Sequence, residues 1–214
     1  IAFFPTDSNQ TQELLSRAEQ ALFHSRKTHV PYVIYDSSLL NETTRRKHLA
    51  SDMVMALEHN ALELYYQPIV NLESGRCEAV EALLRWRHPE LGFIPPNEVI
   101  QVAEEFQLAE KLGSWVLNTA CEQLHQWQHL GLVDLQMCVN ISPGMYQRNL
   151  LKLVAKALME HHIPASCLVL EVTEDTTMRE VKNSLQLMQD LSQQGVHLAL
   201  DDFGTGYSSL SYLQ

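Results

Sequence analysis

Short apolar segments alternate with amphipathic segments from about residue 64 onward. The apolar segments have the length and composition of buried strands, and helical periodicity fills most of the intervals between them. Strands that alternate with helices of this length pair in parallel and lie beneath the helices. The pattern therefore predicts an α/β fold with a mainly parallel sheet. The predicted strands cover Leu64–Val70, Ala79–Trp86, Leu135–Ile141, Leu168–Val172 and Val196–Leu200.

The predicted helices cover residues 97–109, 113–130, 147–162 and 178–194. A closed eight-stranded barrel of this type needs about 250 residues. Residues 57–214 supply fewer and contain five predicted strands, so the barrel is expected to be incomplete. An open doubly wound sheet would need a glycine-rich phosphate loop after its first strand, and Asn71–Gly75 is instead typical of a hairpin turn.

The first 56 residues follow a different pattern. Residues 1–5 and 32–35 are short apolar runs with strand character, and a helical period covers residues 11–27. One helix and two short strands cannot bury a core by themselves, so residues 1–36 are predicted to belong to a larger domain. Residues 37–56 fit a linker helix, and residues 57–214 form the next domain.

Composition narrows the possible partners. The net charge of −11 argues against a surface for nucleic-acid polymers, which would need a basic patch. The four cysteines lie far apart, and three are in apolar runs, which favours reduced core thiols and a cytoplasmic location. No run of about 20 apolar residues and no leader are present, so no membrane contact is expected in this segment. Any anchor would lie outside it.

Polar residues interrupt the predicted strands at equivalent places. Glu81, Asn140, Glu171 and Asp201 each lie in, or at the carboxyl end of, a different strand, and Asp202 follows directly. In a barrel these ends converge on one rim, where active sites are built. Oxygen donors of this kind suit Mg²⁺ or Mn²⁺ rather than zinc. The spacing therefore predicts a hard-cation site.

Each residue also has a simpler interpretation. Asp201 and Asp202 could begin a turn or cap a helix, and Glu171 could be a buried acid paired with an arginine. Arg85 shares a strand face with Glu81 and could bind a phosphate or neutralise the acids. His125 and His129 are four residues apart on a predicted helix and could bind one metal ion together. Their amphipathic surroundings instead favour a solvated pair.

Several ordered motifs resemble those of EAL domains, the cyclic-di-GMP phosphodiesterases. They are Glu81-Ala82-Leu83 with Leu84-Arg85-Trp86, Asn140-Ile141-Ser142, Glu171-Val172-Thr173-Glu174, and the segment from Asp201 to Leu210. The resemblance implies a TIM-like barrel whose first strand is antiparallel to the rest. It also implies metal ligation by Glu81, Asn140, Glu171, Asp201 and Asp202, of which Glu81, Asp201 and Asp202 are catalytic. Glu174 would support the glycine loop, and Gln67 and Arg85 would contact the substrate.

The implied activity is two-metal hydrolysis of cyclic-di-GMP to linear pGpG, with Mg²⁺ or Mn²⁺. The alternative is a catalytically silent cyclic-di-GMP receptor. EAL enzymes also carry a lysine near the metals and a further glutamate on later strands, and this sequence ends before both. The 214 residues alone are therefore expected to be inactive and poorly folded. A homodimer through the EAL domain is a further expectation.

Residues 1–36 are similar to the closing segment of a GGDEF (diguanylate cyclase) domain, through Ile1–Pro5 and Ala18–Leu22. The GGDEF signature itself is not in the sequence, so cyclase activity is not addressed. The resemblance implies an interior piece of a tandem GGDEF–EAL regulator, with a C-terminally truncated barrel.

Overall fold

A computed structural model describes residues 1–28, 30–59, 61–145, 149–173 and 181–201. The chain forms two compact units, Ile1–Met53 and Val54–Gln214. The boundary between the units lies inside a helix, because α2 covers Ser37–Glu58.

The first unit contains α1 (Thr11–Thr28), in agreement with the predicted helix. Its predicted apolar face is only partly covered, since Ala21 is fully buried while Leu15 and Leu22 are exposed. Residues 1–5 and 32–35 are not strands, so that prediction was wrong. The two segments nevertheless exchange backbone hydrogen bonds, because the amino group of Ile1 donates to Val33 O at 2.6 Å and Tyr35 N donates to Ile1 O at 2.7 Å.

The second unit is organised around one sheet, in the order β1-β2-β4-β5-β6 with β3 beside β2. Neighbours from β2 through β4 and β5 to β6 are parallel, whereas β1 is antiparallel to β2, as the resemblance implied. A turn held by the Asn71 side chain, whose Oδ1 accepts from Glu73 N and Ser74 N, joins β1 to β2. The strands are β1 (Leu62–Val70), β2 (Cys77–His88), β3 (Gly92–Ile94), β4 (Gln136–Ile141), β5 (Leu168–Thr173) and β6 (His197–Asp201).

Alternate residues of these strands point to opposite faces of the sheet, and one face forms most of the core. On β4 and β5 its side chains are inaccessible to solvent, and helices α3 (Pro96–Glu105) and α4 (Ala109–His129) lie against strands of the sheet. Among the described residues of this unit, two further α-helices are α5 (Leu150–Glu160) and α6 (Val181–Gln193). The buried residues of this helix-covered face include Val80, Ala82, Trp86, Met137, Val139, Ile141, Leu168, Leu170 and Val172.

Two details differ from the predicted elements. The helix expected over 97–109 ends at Glu105, because the chain turns at Gln107, whose φ is 59°, before α4 begins. The three-residue strand β3 was not predicted, because three residues are too few to show a period. Within the described ranges, no helix combines the length and apolar character needed to cross a bilayer.

The cysteines give a test of the core. Cys121, Cys138 and Cys167 are buried and Cys77 is exposed, and burial raises the pKa of Cys121 to about 12. Because the thiolate is the reactive form, a charged thiol reagent is expected to label Cys77 rapidly and the other three only on unfolding. Mass spectrometry of timed samples measures this. Rapid labelling of Cys121 in the native protein would contradict the placement of α4.

Candidate active site

The strand register brings four of the predicted ligands to one face of the sheet. Glu81 pairs with Cys138 across β2 and β4, Asn140 pairs with Glu171 across β4 and β5, and Thr173 pairs with Asp201 across β5 and β6. Because residues two apart share a face, Glu81, Asn140, Glu171 and Asp201 all lie on the face opposite the helix-covered one. We call these four residues the acidic cluster.

Glu81 and Asn140 are in direct contact. The amide nitrogen of Asn140 donates to Glu81 Oε1 at 2.7 Å, across 59 residues of sequence. This bond orients the Asn140 side chain and leaves its Oδ1 atom as an acceptor for another group. Asn140 can therefore contact Glu81 and still offer an oxygen ligand, as its predicted role requires.

The carboxylates of the cluster influence one another electrostatically. Burial raises the pKa of Glu171, and the negative charges of Glu81 and Asp201 raise it further. The Cys138 thiol opposes this shift through a hydrogen bond with Glu171. Burial, followed by the charge of Glu171, raises the pKa of Cys138 itself to about 12, so this thiol is a protonated donor at neutral pH.

The two predicted substrate contacts lie beside the cluster. Gln67 on β1 is the direct register partner of Glu81. Arg85 lies four residues after Glu81 on the same face of β2, and its Nη1 donates to Leu84 O at 2.8 Å. Its guanidinium carbon lies 5.6 Å from the centre of the Tyr65 ring, within the range of a cation–π contact.

The loop that follows Asn140 is fixed by a remote carboxylate. Glu104 Oε1 at the end of α3 accepts a hydrogen bond from Gly144 N at 3.0 Å. A Cβ at position 144 would lie 2.9 Å from Glu104 Cγ and from Ala109 Cβ, so the approach requires glycine. Glu104 thereby holds the chain that leaves the carboxyl end of β4.

Three contributors were not predicted from the sequence. Cys138 could have been found from its position two residues before Asn140 on the same strand, and Tyr65 from the same spacing before Gln67. Nothing local marks Glu104, because its partner is 40 residues away. The predicted residues Glu174 and Asp202 lie outside the described residues.

The acidic cluster fits a hard cation in its chemistry. It offers three carboxylates and an amide oxygen, which are the donors that Mg²⁺ and Mn²⁺ prefer. The mutual repulsion that raises the pKa of Glu171 is the kind that a bound cation relieves. Among the described residues, no group of three or more His, Cys, Asp and Glu side chains is already arranged to hold a metal ion.

A family model described as the EAL domain matches residues 50–214. The chain belongs to the EAL family. It is 39% identical to the bifunctional diguanylate cyclase/cyclic di-GMP phosphodiesterase MucR of Pseudomonas aeruginosa, over the whole chain and 32% of MucR. It is 36% identical to the cyclic di-GMP phosphodiesterase NbdA of the same organism, over the whole chain and 28% of NbdA.

Solved EAL structures have the same fold. The PaMucR phosphodiesterase in complex with c-di-GMP superposes with a TM-score of 0.73 at 44% identity, over 78% of this chain and 68% of that one. The FimX EAL domain of P. aeruginosa bound to c-di-GMP gives 0.68 at 27% identity, over 77% and 66%. The sheet described above is therefore that of a TIM-like EAL barrel. EAL phosphodiesterases depend on metal ions in general.

Proposed function

We propose that this EAL domain hydrolyses cyclic-di-GMP to linear pGpG. The observation that carries the proposal is the acidic cluster, in which residues from four separate strands meet on one sheet face and Asn140 bonds directly to Glu81. The names of MucR and NbdA, which match over the whole chain, support the same substrate. The chain spans about a third of the length of these relatives, so the activity of the whole protein is part of the proposal.

The cofactor proposed is a pair of Mg²⁺ or Mn²⁺ ions, held by Glu81, Asn140, Glu171 and Asp201 together with Asp202. Such ions, when bound, increase the acidity of water and neutralise charge on a phosphodiester. Neighbouring side chains would orient two of these carboxylates. Asn140 holds the Glu81 carboxylate, and Cys138 holds Glu171, so that both carboxylates face the substrate in fixed orientations.

The substrate contacts proposed are Gln67 and Arg85, with Glu174 as support for the loop that follows Asp202. The guanidinium of Arg85 can form two parallel hydrogen bonds to a phosphate. Its stacking on Tyr65 and its bond to Leu84 O limit the conformations it adopts. A phosphodiester held by Arg85 would lie on the acidic face, where water can attack phosphorus and displace the 3′ oxygen.

The direct test is incubation of the purified full-length protein with cyclic-di-GMP and Mg²⁺, followed by chromatography of the nucleotides. Formation of pGpG that stops when EDTA is added supports the proposal. Binding of cyclic-di-GMP without product would instead establish the catalytically silent receptor. Absence of both binding and product would refute the assigned substrate.

Tyr65 gives a prediction about substrate binding. Replacing Tyr65 by leucine removes the ring on which Arg85 stacks, and an exposed cation–π contact contributes about 0.5–1 kcal/mol. We expect KM for cyclic-di-GMP to rise about two- to fivefold with kcat little changed. Steady-state kinetics at saturating Mg²⁺ measures both constants. Tyr65→Phe keeps the ring and should behave like the wild type.

The neighbouring Tyr66 is a matched control. It lies on the opposite sheet face, where its ring packs edge-on against Trp127 with centroids 4.9 Å apart, and burial raises its pKa to about 12. Tyr66→Leu should lower stability and leave KM unchanged. If Tyr65→Phe were as impaired as Tyr65→Leu, the hydroxyl rather than the ring would be the important group.

The domain organisation is also part of the proposal. Residues 1–36 are assigned to the end of a GGDEF domain, residues 37–56 to a linker helix and residues 57–214 to the EAL domain. The match to MucR extends over residues that precede the EAL family match, which supports a tandem arrangement. A cytoplasmic location and a homodimer through the EAL domain complete the proposal, and light scattering of the purified protein tests the dimer.

A further inference from the structure

Two histidines converge at the carboxyl-terminal end of α4. His125 and His129 are one helical turn apart, and their Nε2 atoms are 3.0 Å from each other. The ring centroids are 4.4 Å apart and the ring planes are nearly perpendicular. His129 is exposed and His125 is half-buried, and the pair lies apart in sequence and element from every residue of the acidic cluster. Two imidazole nitrogen atoms one helical turn apart can bind one metal ion as a chelate.

The separation of the nitrogen atoms indicates which geometry the pair suits. Metal–imidazole bonds are about 2.0–2.1 Å long, so two ligands at 90° on one ion lie about 3.0 Å apart, and two ligands at a tetrahedral angle lie about 3.3–3.4 Å apart. The observed 3.0 Å is an ordinary hydrogen-bond distance, and it is compatible with the 90° arrangement. Square-planar and tetragonal nitrogen sites of this kind are typical of Cu²⁺ and Ni²⁺ rather than Zn²⁺.

We propose that His125 and His129 form a bidentate site for a tetragonal transition-metal ion of the Cu²⁺ or Ni²⁺ class. Water completes the coordination, because the site is open to solvent. In the metal-free pair one Nε2 donates and the other accepts. Metal binding requires both Nε2 lone pairs, so the proton of the donating Nε2 atom leaves it, to the Nδ1 atom of the same ring where that atom is free and otherwise to solvent.

The surrounding helix preorganises the site. The same helix buries Ala120, Cys121 and Leu124 completely, which fixes the side of α4 that faces the core. Its last turn is closed by hydrogen bonds from Leu130 N and Leu132 N to Trp127 O. His129 is the last residue of α4, where the negative end of the helix dipole attracts a cation. The helix backbone that carries both side chains is therefore ordered before the ion binds.

A third histidine provides the matched control. The ring of His162 lies 6.4 Å from that of His125 and is exposed, at the turn that follows α5. The proposed site does not use it, in agreement with the lack of any three-residue His, Cys, Asp and Glu group suited to metal among the described residues. His162→Ala therefore removes a nearby imidazole without removing a ligand.

The test is titration of the purified full-length protein with CuCl₂ in a large excess of MgCl₂, which saturates oxygen-donor sites. Electron paramagnetic resonance should show one tetragonal Cu²⁺ with coupling to two nitrogen nuclei. His125→Ala and His129→Ala should each weaken this site about tenfold or more, because a two-point attachment becomes a one-point attachment. His162→Ala should leave the spectrum and the affinity unchanged.

Three results would overturn the proposal. The first is an unchanged Cu²⁺ site in the His125→Ala/His129→Ala double variant. The second is a wild-type spectrum that shows coupling to one, three or four nitrogen nuclei. The third is a loss of Cu²⁺ affinity in His162→Ala as large as that in His125→Ala or His129→Ala. His129→Gln keeps a polar side chain at the helix end and should also lose the site. Circular dichroism of each variant verifies that α4 is intact, so a loss of binding is not a loss of fold. The readout is independent of any phosphodiesterase activity.

Discussion

Replacing Glu81 by alanine in the full-length protein is expected to reduce hydrolysis of cyclic-di-GMP about 10³-fold or more. The change removes a carboxylate from the acidic cluster and also the acceptor of the Asn140 hydrogen bond, and loss of one electrostatic contact to a reacting phosphate costs several kcal/mol. Asp201→Ala should have a similar effect. Product formation over time at saturating Mg²⁺ measures the rate, and calorimetric titration with Mn²⁺ measures metal affinity.

Two variants control for the loss of charge and for general damage to β2. Glu81→Gln keeps the shape of the side chain and an acceptor for Asn140 but not the charge, so it should lose activity while retaining the fold. Glu78 is an exposed acid three residues earlier, on the other face of the same strand, and Glu78→Ala should be close to wild type. Near wild-type turnover by Glu81→Ala would refute the assignment of the site.

Replacing Trp86 by alanine is expected to reduce the free energy of unfolding by about 3–5 kcal/mol. Trp86 is 2% exposed, and its strand neighbours on either side are Leu62 and Ile94, which are also buried. The cavity left by the indole cannot be filled by these residues without moving β1 and β3. Chemical denaturation followed by circular dichroism gives the free energy, and thermal unfolding gives an independent midpoint.

Phe93 is the control for the loss of an aromatic ring in the same part of the sheet. It lies on β3 next to Ile94, but it is 56% exposed. Phe93→Ala should therefore cost less than about 1 kcal/mol. Equal losses for the two variants would show that Trp86 is not a core residue of the sheet.

The core of the fold was predictable because it depends on local patterns. All five predicted strands are present. The acidic cluster was located by the polar residues that interrupt the apolar runs, which are Glu81, Asn140, Glu171 and Asp201. The alternation of strands and helices did not predict the direction of β1. An apolar strand can be followed by a hairpin, which makes the next strand antiparallel, or by a crossover, which makes it parallel. It came instead from the resemblance to EAL domains.

What the sequence could not supply depends on contacts between distant residues. Residues 1–5 and 32–35 have strand composition, yet the hydrogen bonds between them involve only Ile1 on one side. These bonds are too few to form the ladder of a β-sheet. The convergence of His125 and His129 depends on side-chain rotamers that no spacing specifies, so the sequence favoured a solvated pair. The roles of Cys138 and Glu104 likewise require the register of the sheet and the path of a loop.

The antiparallel β1–β2 pair also has a kinetic consequence. Gln67 and Glu81 are joined through a short turn, whereas Glu81 and Asn140 are 59 residues apart. The difference in loop-closure entropy is about 1 kcal/mol in favour of the hairpin, and contacts that are local in sequence form sooner during folding. The part of the sheet that carries Gln67 and Glu81 is therefore expected to form first, on a template of two strands. The strands that carry the other residues of the acidic cluster then join the sheet. Each of them is connected through at least one helix, which must form and pack first.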